Sequence, residues 1–60
     1  MPWIEVKWYN GRDKATKAKT MGLLTKTMCE ATGCKPDAVS VVFYDIEKSD
    51  WGNSGKPVGL

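Results

Sequence analysis

One long helical segment sits between two strand-like runs in this chain, and little sequence remains to cover a second sheet face. From Lys14 to Thr32 the residues are mostly Ala, Lys, Leu, Met and Thr, and all but the threonines rank high as helix formers. Asp13 offers an N-cap oxygen, Gly33 fits the position after the C-cap, and Pro36 prevents the same helix from resuming. Ala15, Ala18, Met21, Leu24, Met28 and Ala31 recur at steps of three or four, so the spacing predicts one inward stripe. Lys17, Thr20, Lys26, Thr27 and Glu30 are expected on the opposite face. A helix of about 19 residues at about 1.5 Å each is roughly 28 Å long, close to an eight-residue strand at about 3.3 Å each. Its length therefore suits a crossover back to the start of a parallel neighbour.

The two flanking runs fit that role. From Pro2 to Tyr9 the sequence alternates, with Pro2, Ile4, Val6 and Trp8 on one side and Trp3, Glu5, Lys7 and Tyr9 on the other. Asn10-Gly11 is a common hairpin signal, but no strand pattern follows, so it reads as a strand-to-helix turn. From Val39 to Glu47 both faces are apolar, Val39, Val41 and Phe43 against Val42, Tyr44 and Ile46. The expected class is α/β: a short βαβ subunit with parallel strands and a right-handed crossover. One helix covers one sheet face, and the other face calls for a second chain. The remainder, Lys48 to Leu60, is rich in turn residues and holds one large aromatic, Trp51, so a C-terminal loop or short hairpin is expected, reaching over a neighbour.

Sixty residues make a single domain over 1–60, and a chain this short buries only about 60% of the surface its unfolded form exposes. Cys29 and Cys34 make at most one bridge and are too few for a structural zinc site without histidine, of which the chain has none. The residues therefore point to no metal and no cofactor, with Cys29 packing the helix and Cys34 in a loop. Without an export signal at the N-terminus, reduced thiols and a cytoplasmic location are the expectation. Oligomerisation is then the main remaining source of buried surface. No apolar run approaches a membrane span. A net charge of +2 is too weak to argue for nucleic acid, and Lys14, Lys17, Lys19 and Lys26 read as a solvated helix face.

With no histidine, the unusual acid–base candidate is Pro2. Initiator methionine is commonly removed ahead of a small side chain, and its loss leaves Pro2 as a free secondary amine. While Met1 remains, the same nitrogen is an amide without a basic lone pair. A proline at the first residue of an edge strand is also structurally ordinary, because its missing N–H is harmless there. Eight of the nine basic residues are lysines, and Arg12 is the sole arginine.

Met1-Pro2 opens a strand, Gly11-Arg12 precedes a capped helix, a proline turn at Gly33 to Val39 leads into the second strand, and Trp51-Gly52 with further glycines follows. In this order and spacing the chain resembles the 4-oxalocrotonate tautomerase family over nearly its whole length. The resemblance implies a βαβ subunit in a hexamer, or in another dimer- or trimer-based assembly, with active sites formed between subunits. The partner chains are identical copies or a related chain, and the ligand is a small-molecule carboxylate. The implied reaction moves a proton between carbon and oxygen of an unsaturated 2-keto acid, with Pro2 as general base and acid. Arg12 matches the residue that grips the substrate carboxylate, a task suited to a planar guanidinium. Trp51 matches the aromatic pocket wall. Ser40 stands where the family's tautomerases commonly carry a second arginine, replacing a cation with a neutral hydroxyl. Alternatives are a related dehalogenase or hydratase acting on unsaturated acids, for which Asp45, Glu47 and Asp50 are the available carboxylates, and a non-catalytic oligomeric binding protein.

Overall fold

The computed structural model describes residues 1–59 and contains the expected strand, helix and strand in that order. Strand β1 is Trp3–Tyr9, helix α1 is Lys14–Thr32, and strand β2 is Ser40–Ile46. Each strand is slightly shorter than its apolar pattern. The ladder is continued at both ends by single backbone bonds, Ser40 N–H to Pro2 O and Asn10 N–H to Ile46 O, each 3.0 Å. Between α1 and β2, Pro36–Ala38 forms one 3₁₀ turn. A second 3₁₀ turn, Lys48–Asp50, precedes a small hairpin of β3 (Gly52–Asn53) and β4 (Lys56–Pro57).

The helix ends where its capping chemistry places the ends. The Asp13 carboxylate accepts from the Thr16 backbone N–H at 2.8 Å, and that bond lowers its pKa. At the other end Gly33 takes φ 77°, which glycine adopts readily, and its N–H donates to Cys29 O at 2.8 Å.

The helix's rotation differs from the expected stripe. Lys17, Thr20, Leu24, Thr25, Met28 and Cys29 are half-buried, whereas Ala15, Ala18, Met21 and Ala31 are exposed. Leu24 and Met28 keep their predicted place, but Lys17 and Thr20 turn inward instead of outward. The inward turn of Lys17 matches its partner on the sheet: Asp45 of β2 forms an ion pair with it.

β1 and β2 run parallel in the register Trp3 to Ser40, Val6 to Phe43 and Tyr9 to Ile46. Ile4, Val6 and Trp8 therefore share a face with Val41, Phe43 and Asp45, and α1 lies over this face. The opposite face carries Trp3, Glu5, Lys7 and Tyr9 beside Val42, Tyr44 and Ile46. Among the described residues no helix covers it, and away from Tyr9 it is open: Trp3 is 62% and Tyr44 42% exposed. Among the described residues no side chain is fully buried. The body measures 43 × 24 × 13 Å with a radius of gyration of 14.4 Å, against about 10 Å for a compact chain of this length. Two layers with one open face leave the sheet half packed. No helix among the described residues is long and apolar enough to cross a membrane.

Candidate active site

The candidate residues fall into two groups at opposite ends of the sheet. At the first end Pro2 is half-buried behind Met1, which is 98% exposed. The Pro2 carbonyl accepts from Ser40 N–H, and Ser40 is the register partner of Trp3. The parallel crossover thus returns the chain to the proline, and Ser40 begins β2 directly beside it. Trp3 occupies the uncovered face here, its indole N–H donating to Glu5 Oε1 at 3.0 Å.

Arg12 and Trp51 both lie at the second end, each against a different part of Tyr9. Gly11 at φ 115° turns the chain out of β1, and the Arg12 side chain folds back so that Nη1 donates to Tyr9 O at 2.7 Å. The Arg12 guanidinium carbon lies 4.8 Å from the centre of the Trp8 ring, within cation–π range. Trp51, half-buried, packs its ring edge-on to Tyr9 with centroids 4.5 Å apart and planes at 61°. The backbone N–H of Trp51 donates to Lys48 O at 3.1 Å, and its carbonyl accepts from Val58 N–H at 2.9 Å, so the terminal hairpin holds it in place. Lys48 reaches over the Tyr9 ring at 5.5 Å, adding a second cation to this end.

Seven residues of β1 at about 3.3 Å each put roughly 23 Å between the two groups. Within one chain, Pro2 with Ser40 and Arg12 with Trp51 do not converge on one small molecule.

A polar cluster lies under Arg12 that sequence patterning did not assign. Asp45 binds Lys17 of α1 and accepts from the Trp8 indole N–H at 2.6 Å through Oδ1. The Lys17 hydrogen bond, then that of Trp8, holds the Asp45 carboxyl below its ordinary range, and the nearby Arg12 charge acts in the same direction. Trp8 in turn stacks on Phe43, centroids 4.5 Å apart and planes within 3°. The signal for this cluster is the strand register, which pairs Trp8 with Asp45 and cannot be read from either strand alone.

The cysteines meet at the helix C-terminus. Cys29 and Cys34 are both half-buried free thiols with sulfurs 3.7 Å apart, and burial, then Cys34, raises the Cys29 pKa. Among the described residues no group of three or more Cys, His, Asp or Glu side chains is arranged to hold a metal ion.

A family model described as "Tautomerase enzyme" matches residues 2–60, beginning at Pro2. A protein of Ralstonia nicotianae described as "Probable tautomerase" is 32% identical over 59 residues, covering 98% of this chain and 91% of its own length. Among solved structures, a 4-oxalocrotonate tautomerase isozyme from Methylibium petroleiphilum superposes with a TM-score of 0.87 at 28% identity, covering 95% of this chain and 92% of that one. A heterohexameric 4-oxalocrotonate tautomerase from Chloroflexus aurantiacus shares the fold, with a TM-score of 0.88 at 17% identity over 97% of this chain and 94% of that one. The match across both strands, the helix and the terminal hairpin leaves one conclusion: the chain belongs to the tautomerase family.

Proposed function

We propose that this chain, once Met1 is removed, is an isomerase that moves a proton between oxygen and carbon of an unsaturated 2-hydroxy (2-keto) acid, in a site shared between subunits. The observation that carries the reading is the division of the candidate residues: Pro2 and Ser40 at one end of an uncovered sheet, Arg12 and Trp51 at the other. Assembly reunites the two ends by setting one copy's proline beside another copy's arginine. A homohexamer is the simplest such assembly. The heterohexameric relative supports a mixed assembly with a related chain as the alternative.

In the neutral state the Pro2 amine takes the hydroxyl proton of the enol. The oxygen's electron pair forms the carbonyl, the carbon–carbon double bond shifts, and the ring ammonium delivers a proton to the remote carbon. Substrate and product are isomers, and the amine is regenerated. An apolar surround disfavours the charged ammonium and lowers the amine's pKa toward neutrality, which makes a base available at ordinary pH. Trp51 and Tyr9 supply such a wall from the neighbouring copy. Arg12 grips the substrate carboxylate. The fork has five N–H donors, of which Tyr9 O engages one nitrogen. Ser40, whose backbone N–H meets the Pro2 carbonyl, offers a neutral hydroxyl in place of a cation, and where a cation would stabilise developing charge, such a loss costs on the order of 3 kcal/mol. Weak activity on a dicarboxylate substrate follows.

A water-activating carboxylate is the requirement of the hydratase and dehalogenase alternatives. Asp45, whose charge is felt by Arg12, is already engaged by Lys17 and Trp8. The test combines intact mass with kinetics. Purified active protein begins at Pro2, and Pro2→Ala lowers enol-to-keto conversion of an unsaturated 2-hydroxy acid by about 10²- to 10⁴-fold. An unchanged rate in that variant sinks the proposal.

A further inference from the structure

Arg12 emerges from a glycine turn, outside any regular element, and a long exposed side chain at such a place has many rotamers open to it. Here it rests on two supports, Tyr9 O and the Trp8 ring. The ring is itself fixed twice: Phe43 stacks on it, and the indole N–H at its edge binds Asp45. Stacking alone leaves a ring free to slide and rotate in its plane, whereas a directed hydrogen bond at one edge removes that freedom. Asp45 is held by Lys17 from the helix, so the series Lys17, Asp45, Trp8, Arg12 runs from α1 through both strands to the guanidinium.

We infer that Asp45 is a positioning residue that fixes the Arg12 guanidinium through Trp8, so that the carboxylate-binding fork is set before substrate arrives. The inference rests on the reading of Arg12 as the carboxylate-binding residue. Three charged or polar groups face Asp45: Lys17 from α1, the Trp8 indole from β1 and Arg12 from the connecting turn. All three favour its ionised form, so Asp45 stays charged through the neutral range and the support is permanent instead of switching with pH. A group set in advance lowers the entropic cost of binding, and its loss appears in KM more than in kcat. An exposed cation–π contact corresponds to about a two- to fivefold effect on affinity.

Because Arg12 is the sole arginine, its Nε–H gives one side-chain resonance in ¹⁵N-labelled protein. In the native protein that resonance is expected to report an ordered side chain, and in Asp45→Ala and Trp8→Phe a mobile one. Trp8→Phe keeps an aromatic face and removes the indole N–H, so it also carries the test where Asp45→Ala fails to assemble. KM for an unsaturated 2-hydroxy acid rises about two- to fivefold in both variants while kcat holds. Asp45→Asn, which retains an oxygen acceptor for Trp8, recovers most of the order at Arg12. An unchanged Arg12 resonance and unchanged KM in Asp45→Ala and Trp8→Phe overturn the inference. Should Arg12→Ala leave KM unaltered, the carboxylate role of Arg12 fails, and the Nε–H resonance still decides whether Asp45 orders the side chain.

Discussion

Asp45 shows how one residue acquires a role from its neighbours. By sequence it is a carboxylate near the end of a strand; in the fold it lies on the helix-covered face with Lys17 above and Trp8 alongside. Both partners bind its ionised form, so its folded pKa lies below its ordinary value of 3.8. A depressed folded pKa means stability that is fully present above the ordinary value and lost as pH falls through the folded one. Asp13, held by the Thr16 N–H, acts with the same sign. Urea midpoints at fixed protein concentration, measured from pH 6 down to pH 2.5, are therefore expected to fall more steeply in the native protein than in Asp45→Asn below about pH 4. Parallel curves would remove the Asp45 pairs from the stability account. At this scale the candidate site was only partly legible. Pro2 and Arg12 stand out as the proline directly after the initiator methionine and as the sole arginine, because each is chemically unusual in this chain. Asp45, Lys17 and Trp8 do not stand out, since their meaning comes from a register and a helix rotation.

The elements divide in the same way. The boundaries of α1 were readable because Asp13, Gly33 and Pro36 act locally on the backbone. Its rotation was not, because alanines, threonines and methionines surround the helix without a sharp stripe, and the side that faces the sheet carries Lys17, paired with Asp45, together with Leu24 and Met28. The C-terminal segment offered Gly52, Gly55 and Pro57 as turn signals, and it folds as a hairpin that sets Trp51 against Tyr9. Its two central turn residues, Ser54 and Gly55, both have positive φ, 56° and 80°. Glycine takes that conformation freely, whereas a residue with a Cβ pays roughly 1–2 kcal/mol for it. Ser54→Gly relieves this strain but loosens the unfolded chain, for a net gain of about 0.5–1 kcal/mol. Gly55→Ala is expected to cost about 1–2 kcal/mol. Both are measurable by thermal unfolding, and the summed fluorescence of Trp3, Trp8 and Trp51 should respond with them. A Ser54→Gly variant less stable than the native protein would show that the Ser54 hydroxyl, 3.4 Å from Asn53 Oδ1, matters more than the backbone strain.

For the whole molecule, the flat shape and the absence of a fully buried side chain among the described residues belong together. A sheet with Trp3 and Tyr44 exposed on one face, and a helix with Met21 and Leu23 exposed outside it, presents apolar area on both broad surfaces. That area is what a second chain would cover, so stability is expected to depend on protomer concentration, with the unfolding midpoint falling on dilution. The sequence made this expectation readable through length and the doubly apolar second strand, but not the separation of Pro2 and Ser40 from Arg12 and Trp51 at opposite ends of the sheet. The proposed sharing of the site between copies gives the sharper test. Pro2→Ala removes the proposed base and Arg12→Ala the carboxylate fork, and each variant alone is expected to be nearly inactive. In a site that takes its proline from one copy and its arginine from another, co-refolding equal amounts of the two variants leaves about a quarter of sites with both native residues. Activity near that fraction of the native level is the expected result, measured against the separately refolded variants mixed afterwards without exchange. If the mixed assemblies form, as mass spectrometry would establish, and activity stays at the level of the separate variants, the shared site is wrong. Proline and arginine would then have to act within one copy, across a distance of roughly 23 Å that the strand does not allow.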